Sequence, residues 1–409
     1  MRSRITFVFA ALGWLAAIFL LSGCPLIESE NAGQVWYVNH LASGAGDGLS
    51  WAGAFATPQE AMDAAVAGDE VWVAEGVYGP GGYDGTPVLV MAAGIRVYGG
   101  FAGGESTAVS RDPAAHVTVL DGEHTAFHVV IAADKGVIDG FTITGGSANG
   151  SLEEATGGGI FISSSSVTIQ NCRIEKNSAD HAGGGIYNDE GVVLIIDSVL
   201  SGNDACYGGA LENFKGSALV INTSFSKNRS WQNGGAVSNY FSSPVFVNSV
   251  FSGNETTFSG GAVFNYNGSP VFTNCTFTGN RADEKAVNSG AGAIGNLGSS
   301  PTIINSLLWA NRSGDGSEIT TIQSSVTVRY SNVQGGYAGS GNIDQPPVFM
   351  DDGSWSGNVW IEGDYHQVAE SPLIDGGTSE GAPNFDKDGN LRPQGLSHDI
   401  GAFEYISLD

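Results

Sequence analysis

Basic side chains are scarce in this 409-residue chain, with 16 Lys and Arg against 42 Asp and Glu and a formal net charge of −26. A field of that sign disfavours nucleic acid and anionic membrane surfaces as partners, and it disfavours uronate polysaccharides unless calcium intervenes. Cysteine is scarce too, at 4. Cys172 and Cys275 occupy one repeat position four turns apart, about 19 Å at one strand spacing per turn. A disulfide cannot bridge that distance, so both are expected to be small buried hydrophobes. Also missing from residues 157–313 is any helix-length apolar periodicity, which excludes leucine-rich and helical solenoids. Glycine is abundant at 61, yet 42% of the chain is hydrophobic. That balance describes a turn-rich fold rather than disorder.

What is present is one phrase written six times. Gly157-Gly158-Gly159-Ile160 recurs as Gly183-Gly184-Gly185-Ile186, Gly208-Gly209-Ala210-Leu211, Gly234-Gly235-Ala236-Val237, Gly260-Gly261-Ala262-Val263 and Ala291-Gly292-Ala293-Ile294. A second phrase keeps the same beat at Asn171, Asp197, Asn222, Asn248, Asn274 and Asn305, and a third at Asn177, Asn203, Asn228, Asn254, Asn280 and Asn311. A fixed period in this range is the mark of a solenoid. Short runs rich in Val, Ile, Phe and Thr, broken by Gly, Asn, Ser and Pro, are strand-and-turn writing. The expectation is an all-β, right-handed parallel β-helix. Alternation points Ile169, Ile195, Val220, Phe246, Phe272 and Ile303 inward. The column starting at Asn171 sits at a bend, where stacked amides can bond to the turns above and below.

Both ends carry their own signals. Met1-Arg2-Ser3-Arg4, an apolar run over 5–21 and Leu21-Ser22-Gly23-Cys24 resemble a bacterial lipoprotein signal with its lipobox. Residues 1–23 would then be removed, Cys24 would carry the lipid, and 24–34 would be a tether. Pro25 stands where an Asp would mark inner-membrane retention, so the outer membrane is the expected destination. Thr57-Pro58-Gln59-Glu60 opens a helix reaching about Val66, whose Ala61, Met62, Ala65 and Val66 would cover the open end of the coil. The β-helix with this cap is assigned to 35–345, and 346–409 to a C-terminal capping segment.

A family resemblance rests on the terminal blocks. Tyr37-Val38-Asn39, Asp47-Gly48-Leu49-Ser50-Trp51 and Gly76-Val77-Tyr78 stand at one end. Ser371-Pro372-Leu373-Ile374-Asp375-Gly376-Gly377 and Asp399-Ile400-Gly401-Ala402-Phe403-Glu404 stand at the other. Together they resemble the choice-of-anchor Q family, with Pro58 departing from the Leu of that pattern. The resemblance implies an exported bacterial β-helix of pectin-lyase-like fold, displayed through a surface anchor and without a general activity. The central units are similar to polymorphic outer-membrane protein repeats.

Pectin-lyase-like β-helices include polysaccharide lyases and hydrolases, so catalysis has to be weighed. The Asn-Thr-Asp and Gly-His-Gly signatures of polygalacturonases are absent, and Lys176, Lys215, Lys227 and Lys285 form no column. Asp189 and Glu212 lie on neighbouring turns, offset by two residues and facing out, a spacing compatible with an inverting glycosidase pair. The alternative is a solvated acidic turn. Asp386, Asp388 and Asn390 alternate like the start of a calcium loop but lack the distal Glu, and an Asp-Gly turn explains them as well. No other cofactor is implied.

The outward column Phe214, Tyr240 and Tyr266, with Trp231 on the approach to the same strand, suits stacking on sugar rings; the alternative is a purely structural aromatic stack. The leading expectation is a monomeric, lipid-anchored, surface-exposed β-helix that binds glycan or another cell-surface partner without catalysis. The alternative is a polysaccharide lyase or glycoside hydrolase on the same scaffold.

Overall fold

The repeat closes into one turn of a coil. In the turn that begins at Gly234, strand Val237–Tyr240 is followed by Val245–Val247, Val250–Ser252 and Glu255–Thr256. The next strand, Val263–Tyr266, then lies parallel on Val237–Tyr240 with Asn239 opposite Asn265. The computed structural model describes residues 33–407 except 43–45, 83–84 and 284–289, so the leader and Cys24 lie outside the described residues. Repetition of the turn builds four parallel sheets of eleven, nine, ten and six strands. This is the right-handed parallel β-helix expected from the period.

Parity holds through the coil. Ile169, Ile195, Val220, Phe246, Phe272 and Ile303 are fully buried, and Cys172 and Cys275 are buried free thiols beside them. Phe225, Phe251 and Phe277 stack face to face along the axis at 4.8 and 4.6 Å. Phe246 and Phe272 stack at 5.1 Å and meet that column edge-on. In-register stacking gives each ring the offset and edge contacts that aromatic pairs prefer.

The glycine phrase has a steric cause. Gly183, Gly208, Gly234 and Gly260 all adopt positive φ between 54° and 71°. The second glycine of each phrase lies so close to carbonyls of the next turn that a Cβ would collide with them, Gly184 against Asp204 and Gly209 against Arg229. The third position is equally close at Gly159 and Gly185, where a Cβ would meet the carbonyls of Gly185 and Ala210, but it is alanine at Ala210, Ala236 and Ala262.

Two asparagine columns differ in what they do. The column at Asn171, Asp197, Asn222, Asn248, Asn274 and Asn305 does sit at a bend, with φ of 47–52° throughout. Asparagine tolerates that left-handed region better than most residues. Its ladder is interrupted. Asn248 donates to Asn222, but Asn274 turns instead to the Asp399 and Gly401 carbonyls. The continuous ladder is the buried column at Asn177. Asn203 sends both its backbone N–H and its amide to Asn228 Oδ1, each at 3.0 Å, and Asn228 does the same to Asn254. The pattern runs on through Asn280 to Asn311, whose donors end on Glu318.

Helix α1 (Pro58–Ala64) has the expected capping box, Thr57 accepting from Glu60 N while Glu60 reaches back to Thr57 N. Ala61 and Met62 are buried over the coil's end, and Ala65 packs against the core. Val66 is a correction: the helix stops at Ala64, and Val66 is 67% exposed.

The C-terminal segment also departs from expectation. It lies along the flank of the ten-stranded sheet rather than over the end of the coil. Trp360 lies against Gly253 and Gly279, Trp355 Nε1 donates to the Gly279 carbonyl, and Asn248 donates to Phe385 O. Lys387 reaches the Asn222 carbonyl, and Tyr365, Ala402 and Phe403 pack on Val250. A buried Arg392–Glu404 pair fixes the segment internally. Closure of the coil's C-terminal end falls to 334–345, where Val333 bonds Ile343 and Tyr337 packs against the core.

The buried ladder makes a stability prediction. Asn228→Leu strands the Asn203 N–H and leaves acceptors on Leu200 and Asn254 short of a donor. A loss of about 2–5 kcal/mol is expected from such orphaned buried groups. Asn248→Leu, where the ladder is already broken, should cost less. Equal denaturant midpoints for the two variants would show the inner ladder to be no more than a by-product of stacking.

Candidate functional site

The outer face of the nine-stranded sheet carries the aromatic column. Glu212 pairs with Ser238 and Phe214 with Tyr240, and Tyr240 in turn pairs with Tyr266. The rings follow the backbone register. Phe214 and Tyr240 stack at 5.4 Å with planes 10° apart, and Tyr240 and Tyr266 at 4.7 Å and 13°. Tyr240 is 37% exposed, while Phe214 and Tyr266 are half-buried. Lys215 Nζ lies 4.9 Å from the Phe214 ring.

One member of this face escaped sequence reasoning. Phe241 is 50% exposed and sits at the bend with φ 52°, where the same position of other turns is Glu190, Lys215 and Asn267. Positive φ is unusual for a bulky side chain and stores backbone strain. Phe241 stands edge-on to both Tyr240 and Tyr266, at 4.9 and 5.4 Å. The adjacent Tyr240-Phe241 pair was the available signal. A further stack, His128, Phe161 and Tyr187, lies nearer the N-terminal end, with 4.9 and 6.0 Å between rings.

Trp231 is not on this face. It belongs to strand Arg229–Asn233 of the six-stranded sheet, 49% exposed, with Nε1 on Asp204 at 2.8 Å and the Arg229 guanidinium 3.8 Å over its ring. The bases are also less scattered than expected. Asp204, Arg229, Glu255, Arg281 and Arg312 are partners in one column of successive turns.

The carboxylate pair keeps its offset but not its exposure. Glu212 stands opposite Tyr187, two positions from Asp189 in register, and only 5% of it is exposed. It is hydrogen-bonded by Ser238 while its Oε2 has no partner, and burial pushes its carboxyl up to about 8. Asp189 is half-buried; burial and then the Glu190 charge raise its carboxyl. A carboxyl sealed beneath the sheet surface cannot meet a glycosidic oxygen without rearrangement. The solvated acidic turn is corrected too, since Glu212 is buried.

The 386–390 loop is an Asp turn. Asp386 is fully buried; Oδ1 accepts from Asp388 N and Asn390 N, and Oδ2 from Asn390 Nδ2 and Glu404 N. Asp388 instead bonds His366 Nε2 at 2.6 Å. With both Asp386 oxygens occupied by protein donors, the three side chains do not converge as calcium ligands. Among the described residues no cluster of three or more His, Cys, Asp or Glu could hold a metal ion.

Glu212 carries a pH prediction. Its folded value lies above the ordinary carboxylate value, so the folded chain holds the extra proton between about pH 4.5 and 8. Its contribution to stability is therefore present at low pH and lost as pH rises through that window. Glu212→Gln should leave the unfolding midpoint nearly unchanged at pH 5 and raise it at pH 8. An identical pH–stability curve for both proteins would mean that Glu212 is ionised in the folded state.

Comparison with known proteins agrees with this geometry. A family described as "Right handed beta helix region" matches residues 127–308, and one described as a protein of unknown function, DUF1565, matches 45–207. No curated protein sequence matches the chain. Among solved structures it is similar to the pectate lyase Pel9A, at 16% identity and a TM-score of 0.55, covering 92% of this chain and 97% of that one. The pectin methylesterase from Aspergillus niger also matches, at 14% identity over 77% of this chain and 86% of that one. Its TM-score of 0.33 is too low to argue from. At such identities the likeness speaks for fold alone. The chain has the architecture of a pectin-lyase-like right-handed parallel β-helix.

Proposed function

We propose that this protein is a lipid-anchored, surface-exposed β-helix that binds glycan through the Phe214–Tyr240–Tyr266 face without catalysing its cleavage. The observation that carries the reading is the alignment of those rings at the strand spacing, with Phe241 held edge-on beside them at positive φ. Rings locked by the backbone register form a platform whose ordering cost is met in folding, so little entropy is lost on binding. An extended polymer lying along the coil axis would meet successive rings. The buried, unreachable Glu212 weighs against a hydrolase at this face.

The anchoring half of the reading rests on the sequence. The basic n-region, the apolar run and Leu21-Ser22-Gly23-Cys24 support diacylation at Cys24 and transport to the outer membrane. The terminal blocks that resemble the choice-of-anchor Q family support surface display. No helix among the described residues is long and apolar enough to cross a membrane.

Tyr240→Ala combined with Tyr266→Ala removes two adjoining rings. Binding on a glycan array, followed by titration of the best neutral ligand, should weaken about tenfold or more, with the β-sheet circular dichroism retained. Loss of fold with unchanged binding per folded molecule would make the rings structural and end the assignment. Cys24→Ser should abolish acyl labelling and shift the chain from the membrane to the soluble fraction. Membrane retention of that variant would replace the lipid with an uncleaved anchor.

A further inference from the structure

The C-terminal hairpin, strands Ser354–Ser356 and Val359–Ile361, does more than cover the coil. Between it and the corner that joins the ten-stranded to the six-stranded sheet lies a cavity of about 300 Å³. Its coil wall carries Lys227 and Arg229, and its hairpin wall carries Trp355, Asn358 and Trp360. Glu255 lines it from the next turn.

The charges in this cavity are unbalanced in the opposite sense to the chain. Glu255, the acid of the lining, is taken by Arg281 at 2.8 Å. Arg281 in turn stacks 3.7 Å over Trp355 and reaches Asn358 at 3.4 Å. Arg229 lies opposite Glu255 in register, yet its guanidinium is laid over Trp231, near the Asp204 charge but, among the described residues, in no salt bridge; Lys227 likewise has no ion pair among the described residues. In a chain with 16 bases against 42 acids, two bases outside any salt bridge among the described residues leave local positive potential on one cavity wall, offset in part at Arg229 by Asp204. The Trp360 indole N–H is buried with no acceptor. Two indoles 5.5 Å apart supply apolar ring faces beside the bases.

Cations and indole faces together select a ligand with an anionic group on a ring that presents C–H bonds. A volume at the small end of ligand pockets suits one ring rather than a length of polymer. The net charge of −26 repels a polyanion, so the anionic group is a single one on an otherwise neutral chain. The geometry points to a binding site for one anionic sugar residue, carboxylated or sulfated, between Lys227, Arg229 and the Trp355–Trp360 hairpin. This site does not depend on the aromatic face of the nine-stranded sheet, since it lies on other elements of the coil.

The test is calorimetric titration of the detergent-solubilised full chain with methyl glucuronide, methyl glucoside 6-sulfate and neutral methyl glucoside. At least one anionic probe should bind about tenfold more tightly than the neutral one, and the one that does tells carboxylate from sulfate. Added salt should reduce the difference. Lys227→Gln with Arg229→Gln should abolish the selectivity, and Lys227→Gln alone should reduce it should the double variant fold poorly. Tyr240→Ala with Tyr266→Ala should leave it intact, which separates this site from the ring face. Equal affinity for all three probes, no binding of either anionic probe up to about 10 mM, or selectivity that survives the double substitution would each overturn the proposal.

Discussion

An amide that no turn can satisfy alone sets the architecture of this molecule. Each asparagine of the column from Asn203 to Asn311 lies buried, accepts two N–H bonds from the asparagine of the preceding turn and gives its own N–H bonds onward. An unpaired amide at such a depth would cost about 1–3 kcal/mol per missing bond. A turn that slipped by one residue would strand a whole rung and turn its apolar residues outward. The ladder therefore specifies register as well as stability. From register follow the phenylalanine stacks inside and the Phe214–Tyr240–Tyr266 stack outside. The final acceptor is Glu318, whose buried carboxyl is pushed up to about 8 by its surroundings even as Asn311 donates to both its oxygens.

Period and parity made the coil legible from sequence. Inward residues such as Val220 and Phe246, the bend column, and the capping box at Thr57 all follow from local patterns that repeat or from a single helical turn. The C-terminal segment is different because its contacts join residues more than a hundred positions apart, as between Asn274 and Asp399 or Asn222 and Lys387. No period reveals such pairs. A trace was nevertheless present. The outward column of the ten-stranded sheet changes from Arg173, Val199 and Ser224 to Val250, Thr276 and Leu307, and the last three are buried beneath the segment. The bend on the far side of that sheet, Lys227 in an earlier turn, becomes Gly253 and Gly279, whose missing side chains admit the Trp360 ring.

The same reasoning explains the candidate sites. Spacing alone predicted the Phe214–Tyr240–Tyr266 geometry, because strand register dictates ring separation. Trp231 was misplaced because proximity in sequence to Val237–Tyr240 is not proximity on the coil: the chain turns a corner between the two strands. Glu212 was misjudged because parity says which way a side chain points and not what lies over it. Neighbouring Tyr187 and Ser238 and the nearby Tyr207 leave it almost no solvent.

A solenoid of this kind separates the tasks of its faces. Burial of the inward columns is complete before any outward residue is counted, so outward positions are free to differ from turn to turn. One outward column holds rings, and another alternates Asp204, Arg229, Glu255 and Arg281. In the second column the acids and bases do not pair one to one: Glu255 takes Arg281, and Asp204 takes the Trp231 indole. Arg229 is left stacked on that same indole, near the Asp204 charge but outside any salt bridge among the described residues. Repetition thus places like residues at a fixed spacing, while the non-repeating C-terminal hairpin breaks the symmetry at one corner. A coil can offer a polymer many equivalent rungs along its faces. Only where another segment closes against it does it enclose a pocket for a single residue of that polymer.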